Sequence, residues 1–316
     1  MALSLFQYAE QLEARPEPRP LGPEPQPFAS ARAHTPRLPV RAVVWSGYGD
    51  LLLARGGEPQ LLPADAIMRK IALEKTIREF RMWASMTRKP GDPADVMATT
   101  IEQVSTRMTA ERITGGRTEL RFDKIWLGVL NRLCQKDYVY DAGLLGDMPQ
   151  LAEKVTFFYL RAAYGVSAFG GALKTLKAIR DAGLTQGIHA NGQINSPVQL
   201  AIELRNQGSL TGLGDVFDPS LCLWSFETGV RKESERGMAL LEQALAAKGI
   251  KPAETLIVGS DAARDVAPAR KRGFQTALLL ADRQTAVAKP ADLKDERTRP
   301  HALLVAIEQA IATLPN

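Results

Sequence analysis

The sequence is poor in the residues that most often bind transition metals. Only two cysteines and three histidines occur among its 316 residues, and they do not show the spacing of a metal-ligand motif. Cys134 and Cys222 lie in apolar stretches far apart in the sequence, which indicates that they pack in the core. The composition therefore gives no support to a metal site built from cysteine and histidine.

Long apolar runs are also missing. Runs such as TALLLA around Leu280 are far shorter than a membrane span, and the first residues lack the basic start and continuous apolar core of a secretory signal. The net charge of +5 is spread along the chain without interleaved aromatic residues, so it favours a small anionic ligand over nucleic acid. We therefore expect a cytoplasmic protein with no membrane or nucleic-acid partner.

Residues 1–39 are expected to form a short helix followed by a linker. Leu5, Ala9 and Leu12 fall on one helical face. Eight of the chain's 20 prolines lie between Pro16 and Pro39, a density typical of extended or disordered chain. Two interpretations of the helix stay open: it packs back on its own domain or frays, or residues 1–14 dock onto a protein partner.

From residue 40 onward, the pattern is one of apolar strands and amphipathic helices. The strand RAVVW comes first, and after Gly170 four helices alternate with the strands LTQGIHA, LCLWSF, TLIVG and QTALLL. Such alternation predicts an α/β fold with a doubly wound parallel sheet that helices cover on both faces. We assign this core to residues 40–54 and 166–316.

Residues 55–165 separate the first strand from the rest of the core and have a helical pattern. Leu73, Ile77 and Phe80 fall on one face of the first predicted helix of this segment. An insertion after the first strand of a parallel sheet is expected to lie over the C-terminal strand ends, where ligands bind. We therefore interpret the segment as an all-helical cap domain that excludes water from a site.

Four loops at predicted C-terminal strand ends carry residues suited to bind ions, and such ends converge in a doubly wound sheet. The first is SGYGD after the first strand. Lys232 offers a fixed positive charge to an oxyanion or phosphate. Asn191 and Gly192 open a turn whose backbone amides can face an anion. Asp261 and Asp265 form a carboxylate pair that can hold a divalent cation.

The order of these loops resembles that of the haloacid dehalogenase-like (HAD) hydrolase superfamily, in the branch with a helical (C1) cap after the first strand. AVVWSGYGDLL is similar to that family's first motif, in which a strand precedes Asp-x-Asp-Gly-Thr or Asp-x-Tyr-Gly-Thr, and Tyr48 and Gly49 match the second form. GIHANG resembles the second motif, VRKES with Lys232 the third, and VGSDAARDVAPARKRGF the fourth. The resemblance covers about Arg41 to Leu314 and implies a Rossmannoid core and a phosphatase or dehalogenase type of hydrolase.

The same resemblance shows a degenerate first motif. Ser46 stands where the family has its nucleophilic aspartate, whose carboxylate attacks the substrate and, in the phosphatases, ligates magnesium. Asp50 replaces the motif's threonine, Ala190 occupies a Ser/Thr position that binds the transferring group, and Ser260 stands where an acid is usual. A hydroxyl needs a nearby base to become a nucleophile. Aspartyl-nucleophile activity is therefore expected to be reduced or lost.

The resemblance assigns a role to each position of the site. The catalytic positions are Ser46, Tyr48, Asp50 and Lys232, and the substrate or phosphate positions are Ala190, Asn191, Gly192 and Lys232. Asp265 matches the second metal-binding acid of the fourth motif, and Asp261 lies one place beyond the usual first. The family uses Mg²⁺, but with one acidic ligand lost the site is expected to hold it weakly.

Two residues are considered as replacements for the missing nucleophile. His189 is expected at the end of a strand beside Ser46 and could act as its base, but the alternation of side chains along a strand turns it toward a helix layer. Asp50 lies four residues beyond the usual position. A carboxylate there is expected to accept hydrogen bonds from the loop or to cap a helix.

Three functions therefore stay open. The first is a capped HAD-like hydrolase that keeps weak turnover. The second is a pseudoenzyme that binds a small anionic metabolite under the cap without forming the covalent intermediate. The third is an interaction or scaffold protein that docks through its N-terminal helix.

Overall fold

The computed structural model describes residues 2–16, 22–28, 31–86, 91–114 and 119–315, without the side chains of residues 111–114. Within the predicted linker, residues 17–21 and 29–30 therefore lie outside the described part. The chain forms two compact units. The helical unit comprises Met1–Leu21, Pro59–Gly165 and Gln193–Val198, and the sheet unit comprises Gly22–Glu58, Val166–Gly192 and Gln199–Asn316.

The sheet unit is built on six parallel strands in the order β5-β4-β1-β6-β7-β8. A separate antiparallel pair joins β2 to β3. The strands are β1 (Ala42–Trp45), β2 (Leu52–Ala54), β3 (Val166–Ala168), β4 (Thr185–Ala190), β5 (Cys222–Trp224), β6 (Thr255–Gly259), β7 (Gln275–Leu279) and β8 (Ala302–Leu304).

The predicted α/β fold with a parallel sheet is confirmed. All four residues of β1 are buried, because neighbouring strands flank it on both sides and apolar side chains cover both faces. Three strands were not predicted, namely β2, β3 and β8. Each is only three residues long and falls outside the strand–helix alternation in which the equally short β5 was predicted.

The described residues also form α-helices in both units. They are α1 (Leu5–Glu13), α2 (Ala66–Glu79), α3 (Pro93–Thr114), α4 (Phe122–Cys134), α5 (Ala142–Leu145), α6 (Met148–Ala163), α7 (Ala172–Asp181), α8 (Ser196–Arg205), α9 (Ser225–Thr228), α10 (Glu235–Ala246) and α11 (Ala267–Lys271). Among the described residues, no helix combines the length and the apolar composition needed to cross a membrane.

The N-terminal helix packs within the helical unit. Its apolar face, which includes Tyr8, Ala9 and Leu12, is buried, and Glu13 accepts a hydrogen bond at 2.8 Å from Arg161 on α6. A capping box between Ser4 and Gln7 fixes the start of the helix. Of the two interpretations left open by the sequence, packing on its own domain describes this structure. A protein partner for residues 1–14 stays a prediction.

The described part of the linker is extended and bonded to the sheet unit. His34 and Leu303 exchange backbone hydrogen bonds in an antiparallel bridge, so the chain pairs with β8. Further along, the amide of Leu38 donates to the carbonyl of Thr313 at 2.9 Å. The prolines of this segment prevent it from forming a helix, in which its backbone groups would bond to one another. The bonds to the sheet unit satisfy these groups instead.

A buried glutamine connects three elements of the sheet unit. Gln186 on β4 is 2% exposed and accepts a hydrogen bond from the indole of Trp45 on β1 at 3.2 Å. Its amide nitrogen donates to the carbonyls of Leu176 and Val216 at 2.7 and 3.1 Å. The side chain therefore satisfies three polar groups that have no access to water.

Replacement of Gln186 by alanine should lower the free energy of unfolding by about 2–4 kcal/mol, because it leaves a cavity and several unsatisfied buried groups. Gln275→Ala is the matched control, since the Gln275 amide makes one long, exposed hydrogen bond at 3.4 Å; its effect should stay within about 0.5 kcal/mol. Urea unfolding monitored by circular dichroism measures both. Equal losses of unfolding free energy in the two variants would show that the buried hydrogen bonds of Gln186 do not stabilise the fold.

Candidate active site

The loop after β1 turns sharply at two glycines. Gly47 and Gly49 have φ angles of +92° and +88°, a conformation that side chains with a Cβ rarely adopt. A Cβ at position 47 would also lie 2.8 Å from the Cβ of Ala190 on β4, and a Cβ at position 49 would collide with the hydroxyl of Ser260. The loop is thus closely packed on the ends of its two neighbouring strands.

Ser46 lies at the start of this loop and is 3% exposed. Its hydroxyl donates to Asp265 Oδ1 at 2.6 Å and accepts a hydrogen bond from Lys232 Nζ. Lys232 Nζ in turn lies 2.7 Å from the same Asp265 oxygen. The three side chains, which follow β1, β5 and β6 in the chain, therefore form one closed hydrogen-bonded cluster.

Lys232 and Asp265 keep each other charged in this buried cluster. Burial by itself would lower the pKa of Lys232, but Asp265 and Glu58 hold it above its ordinary value. Burial by itself would raise the pKa of Asp265, but Lys232 and Ser46 hold it below its usual range. Asp265 Oδ2 also accepts the amides of Ser260 and Asp261, both at 2.9 Å. Because both carboxylate oxygens of Asp265 are hydrogen bonded, the interior can accommodate its ion pair with Lys232.

Asp50 turns back onto its own loop. Its two carboxylate oxygens accept the amides of Ser46 at 2.5 Å and of Leu51 at 2.8 Å, and the side chain is completely buried. Burial raises the pKa of Asp50 to about 7, although Lys232 and the two amides oppose the shift. Tyr48, from the same loop, is buried as well. Asp50 thus serves the loop backbone, as the sequence analysis expects of a carboxylate here.

The two acids predicted to bind a metal point to different partners. Asp261 Oδ1 accepts the amides of Ala263 and Arg264 at 2.9 and 3.0 Å, so it caps a turn of π-helix at residues 262–266. Asp265 is bonded to Lys232, Ser46 and two amides. Among the described residues, no group of three or more acidic, histidine or cysteine side chains could hold a metal ion. The donor set in this arrangement does not fit Mg²⁺.

The predicted anion turn also has internal partners. The amide of Gly192 donates to Ser225 Oγ at 3.0 Å rather than facing a ligand. Asn191 is 5% exposed. Its side-chain oxygen, Oδ1, accepts a hydrogen bond from the backbone amide of Lys232 at 2.9 Å. Its amide nitrogen donates to Glu233 and Glu58 at 2.9 and 3.3 Å. Asn191 therefore connects the loop after β4 to the loop that carries Lys232.

His189 faces away from the serine. It is buried, and it hydrogen bonds to the backbone of Gly237 in α10. Burial and the nearby Lys232 lower its pKa to about 3, so the ring is neutral. The neighbouring Ala190 packs against the Gly47 loop, as the alternation of side chains predicts. His189 is thus a core residue and does not supply a base to Ser46.

Four charged residues beside the cluster were missed by the sequence analysis. They are Glu58, Arg231, Glu233 and Arg264, and they contact one another in pairs. Three of them could have been found, because Arg231 and Glu233 flank Lys232 in the sequence and Arg264 precedes Asp265. Glu58 carries no such signal, since it follows two glycines in a segment without any motif.

The raised pKa of Asp50 can be tested through the pH dependence of the unfolding free energy. The folded-state value of about 7 exceeds the unfolded value, so this group stabilises the fold at low pH, and the contribution is lost as pH rises from about 4 to 7. The unfolding free energy of the native chain relative to Asp50→Asn should therefore fall by up to about 1 kcal/mol per pH unit in this window. Urea unfolding at pH 4.5, 6 and 8 measures it, and a constant difference would contradict the raised pKa.

Comparison with known proteins gives structural but no sequence matches. No family model matches the chain, and no curated protein matches it. A 2-haloacid dehalogenase from Pseudomonas syringae pv. Tomato DC3000 aligns with a TM-score of 0.54 and 18% identity, covering 86% of this chain and 96% of that one. The six-stranded sheet and the helical segments described above thus have a counterpart among solved structures.

Two further structures align less well. A dehalogenase described with an intermediate complex has 19% identity and a TM-score of 0.46, covering 88% of this chain and 99% of that one. The HAD-hydrolase YfnB from Bacillus subtilis, bound to magnesium, has 14% identity and a TM-score of 0.44 with the same coverage. By its alignment with the Pseudomonas syringae protein, this chain shares the fold of a 2-haloacid dehalogenase, an α/β core with an inserted helical segment.

Proposed function

We propose that this protein is a pseudoenzyme of the HAD-like hydrolase fold, which binds a small anionic metabolite but does not hydrolyse it through a covalent intermediate. The observation that carries the proposal is the closed cluster of Ser46, Lys232 and Asp265. The serine hydroxyl there donates to a carboxylate and accepts from an ammonium group. It is placed as a structural bridge between two charges.

The electrostatics of the cluster oppose activation of the serine. A nucleophilic serine must give its proton to a base as it attacks. Lys232 has a raised pKa and is protonated, so it cannot accept that proton. Asp265 has a lowered pKa, which makes it a weak base. His189 bonds elsewhere. We therefore propose neither an aspartyl nor a seryl intermediate, and no step that uses Mg²⁺.

One observation favours a second candidate, a serine hydrolase. Lys232 Nζ contacts Ser46 Oγ directly, and a lysine beside a serine serves as the base in some hydrolases. That role requires a neutral lysine. The ion pair with Asp265 opposes loss of the proton, so we rank this candidate second.

A hydrolysis screen separates the two candidates. Phosphate monoesters and short 2-haloacids are incubated, with and without Mg²⁺, with the native chain and with Ser46→Ala and Ser46→Asp. We expect the native chain and Ser46→Ala to be equally inactive, because the hydroxyl has no base. Turnover by the native chain that Ser46→Ala abolishes would reject the pseudoenzyme and establish the serine hydrolase. Turnover by Ser46→Asp alone would show that one residue accounts for the lost chemistry.

A structural role for the cluster predicts a large stability effect. Lys232→Met leaves Asp265 buried without its counter-ion and should cost about 3–5 kcal/mol of unfolding free energy. Lys271→Met is the matched control: Lys271 pairs with Glu235 at 2.5 Å, but both side chains are about 70% exposed, so the loss should stay below about 1 kcal/mol. Both are measured by urea unfolding. An unchanged or higher stability of Lys232→Met would indicate a catalytic rather than a structural lysine, since catalytic sites often reduce stability.

A further inference from the structure

The side chain of Glu58 occupies a cluster of donors beside the Ser46 loop. Arg264 Nη2 lies 2.6 Å from Glu58 Oε2, and Arg231 Nη2 lies 3.3 Å from the same oxygen. Asn191 Nδ2 donates to the other oxygen, Oε1, at 3.3 Å. We call these three residues, with the guanidinium groups of Arg231 and Arg264 and the amide of Asn191, the guanidinium cluster. Together its members bind both oxygens of one carboxylate, which is the recognition expected for a carboxylate ligand.

The charges that contact the guanidinium cluster are suited to a monoanion. Glu233 bonds to Arg231 at 2.8 Å and to Asn191 at 2.9 Å. Although burial by itself would raise the pKa of Glu233, Asn191 and Arg231 hold it at about 2, so this carboxylate is always charged. Within the direct ion pairs of the two guanidinium groups, the carboxylate of Glu233 leaves one positive charge, which Glu58 balances. A ligand that replaces Glu58 would therefore carry one negative charge.

The segment that carries Glu58 begins with a turn that has open space around its two glycines. It follows β2 through Gly56 and Gly57, whose φ angles are +80° and +85°, and a Cβ at either position would meet no atom within 4 Å. The side chains of Arg231 and Arg264 are 38% and 36% exposed, and that of Glu58 is 18% exposed. Ion pairs with this much access to water contribute little to stability, so an external anion can compete with Glu58.

We propose that the guanidinium cluster is a binding site for a small monocarboxylate, and that the side chain of Glu58 occupies this site as an internal competitor. The inference rests on the proposed function, because it names the class of anion that the pseudoenzyme binds and the residues that bind it. It also explains how an anion binds although Lys232 is already neutralised by Asp265. The cations for the ligand are the two arginines rather than the central lysine.

Removal of the competitor tests the site. Propionate is titrated into the full chain, as the native protein and as Glu58→Ala, by isothermal calorimetry at low salt. Glu58→Ala should bind propionate at least about tenfold more tightly, because a tethered carboxylate competes at an effective concentration that reaches the millimolar range. Arg264→Ala in the Glu58→Ala background should abolish the gain. Glu242→Ala, which removes a carboxylate 2.7 Å from Arg272 elsewhere in the sheet unit, should bind like the native chain.

Several outcomes would overturn this site. They are an unchanged affinity in Glu58→Ala, a gain that survives Arg264→Ala, or an equal gain in Glu242→Ala. An equal gain for inorganic phosphate would reject the assignment to a monocarboxylate. If Glu58→Ala does not fold, Glu58→Gln provides the same comparison with the side-chain volume retained. Failure of the proposed function looks different: hydrolysis that depends on Ser46 would reject the pseudoenzyme while the propionate result stands on its own.

Discussion

The buried ion pair between Lys232 and Asp265 is the interaction on which the site depends. It joins the loop before α10 to the turn after β6, and Ser46 at the end of β1 bonds to both partners. Charges this deep are costly unless they are paired and hydrogen bonded. Two backbone amides at Asp265 and the serine hydroxyl meet that requirement. The positions of three loops are thus fixed by one pair of opposite charges.

Much of the fold could be predicted because its signals are local. The mostly apolar, fully buried strands β1 and β6 and the helices between the later strands indicate a parallel sheet in the sequence. The parallel sheet then predicts that residues such as Ser46 and Asp265, 219 positions apart, meet at one edge. The pairs β2 with β3 and β7 with β8 depend on contacts of only three residues. The strands β2, β3 and β8 also lie outside the strand–helix alternation in which the equally short β5 was predicted.

The partners of the site residues were harder to predict than their positions. Asp261 and Asp265 are four residues apart, a spacing that suits a shared ligand on a regular helix. The intervening residues instead form a turn of π-helix, so one carboxylate caps the turn while the other points to Lys232. Side-chain direction here follows from backbone geometry that no residue type specifies. Glu58 was missed for a related reason, because its role arises only from partners distant in the sequence.

Under the proposed function, the loop after β1 has a carboxylate, but not at the position that the family resemblance assigns to the nucleophile. By the resemblance, a carboxyl group is missing at position 46 and another stands at position 50, so the number of carboxyl groups in the loop is unchanged. Their location is not: Asp50 is completely buried and accepts the amide of Ser46. A carboxylate that is bonded to two amides of its own loop can balance part of the charge of Lys232, but its oxygens face the loop backbone rather than a substrate. The loop can therefore keep a carboxyl group near Lys232 without having a nucleophile.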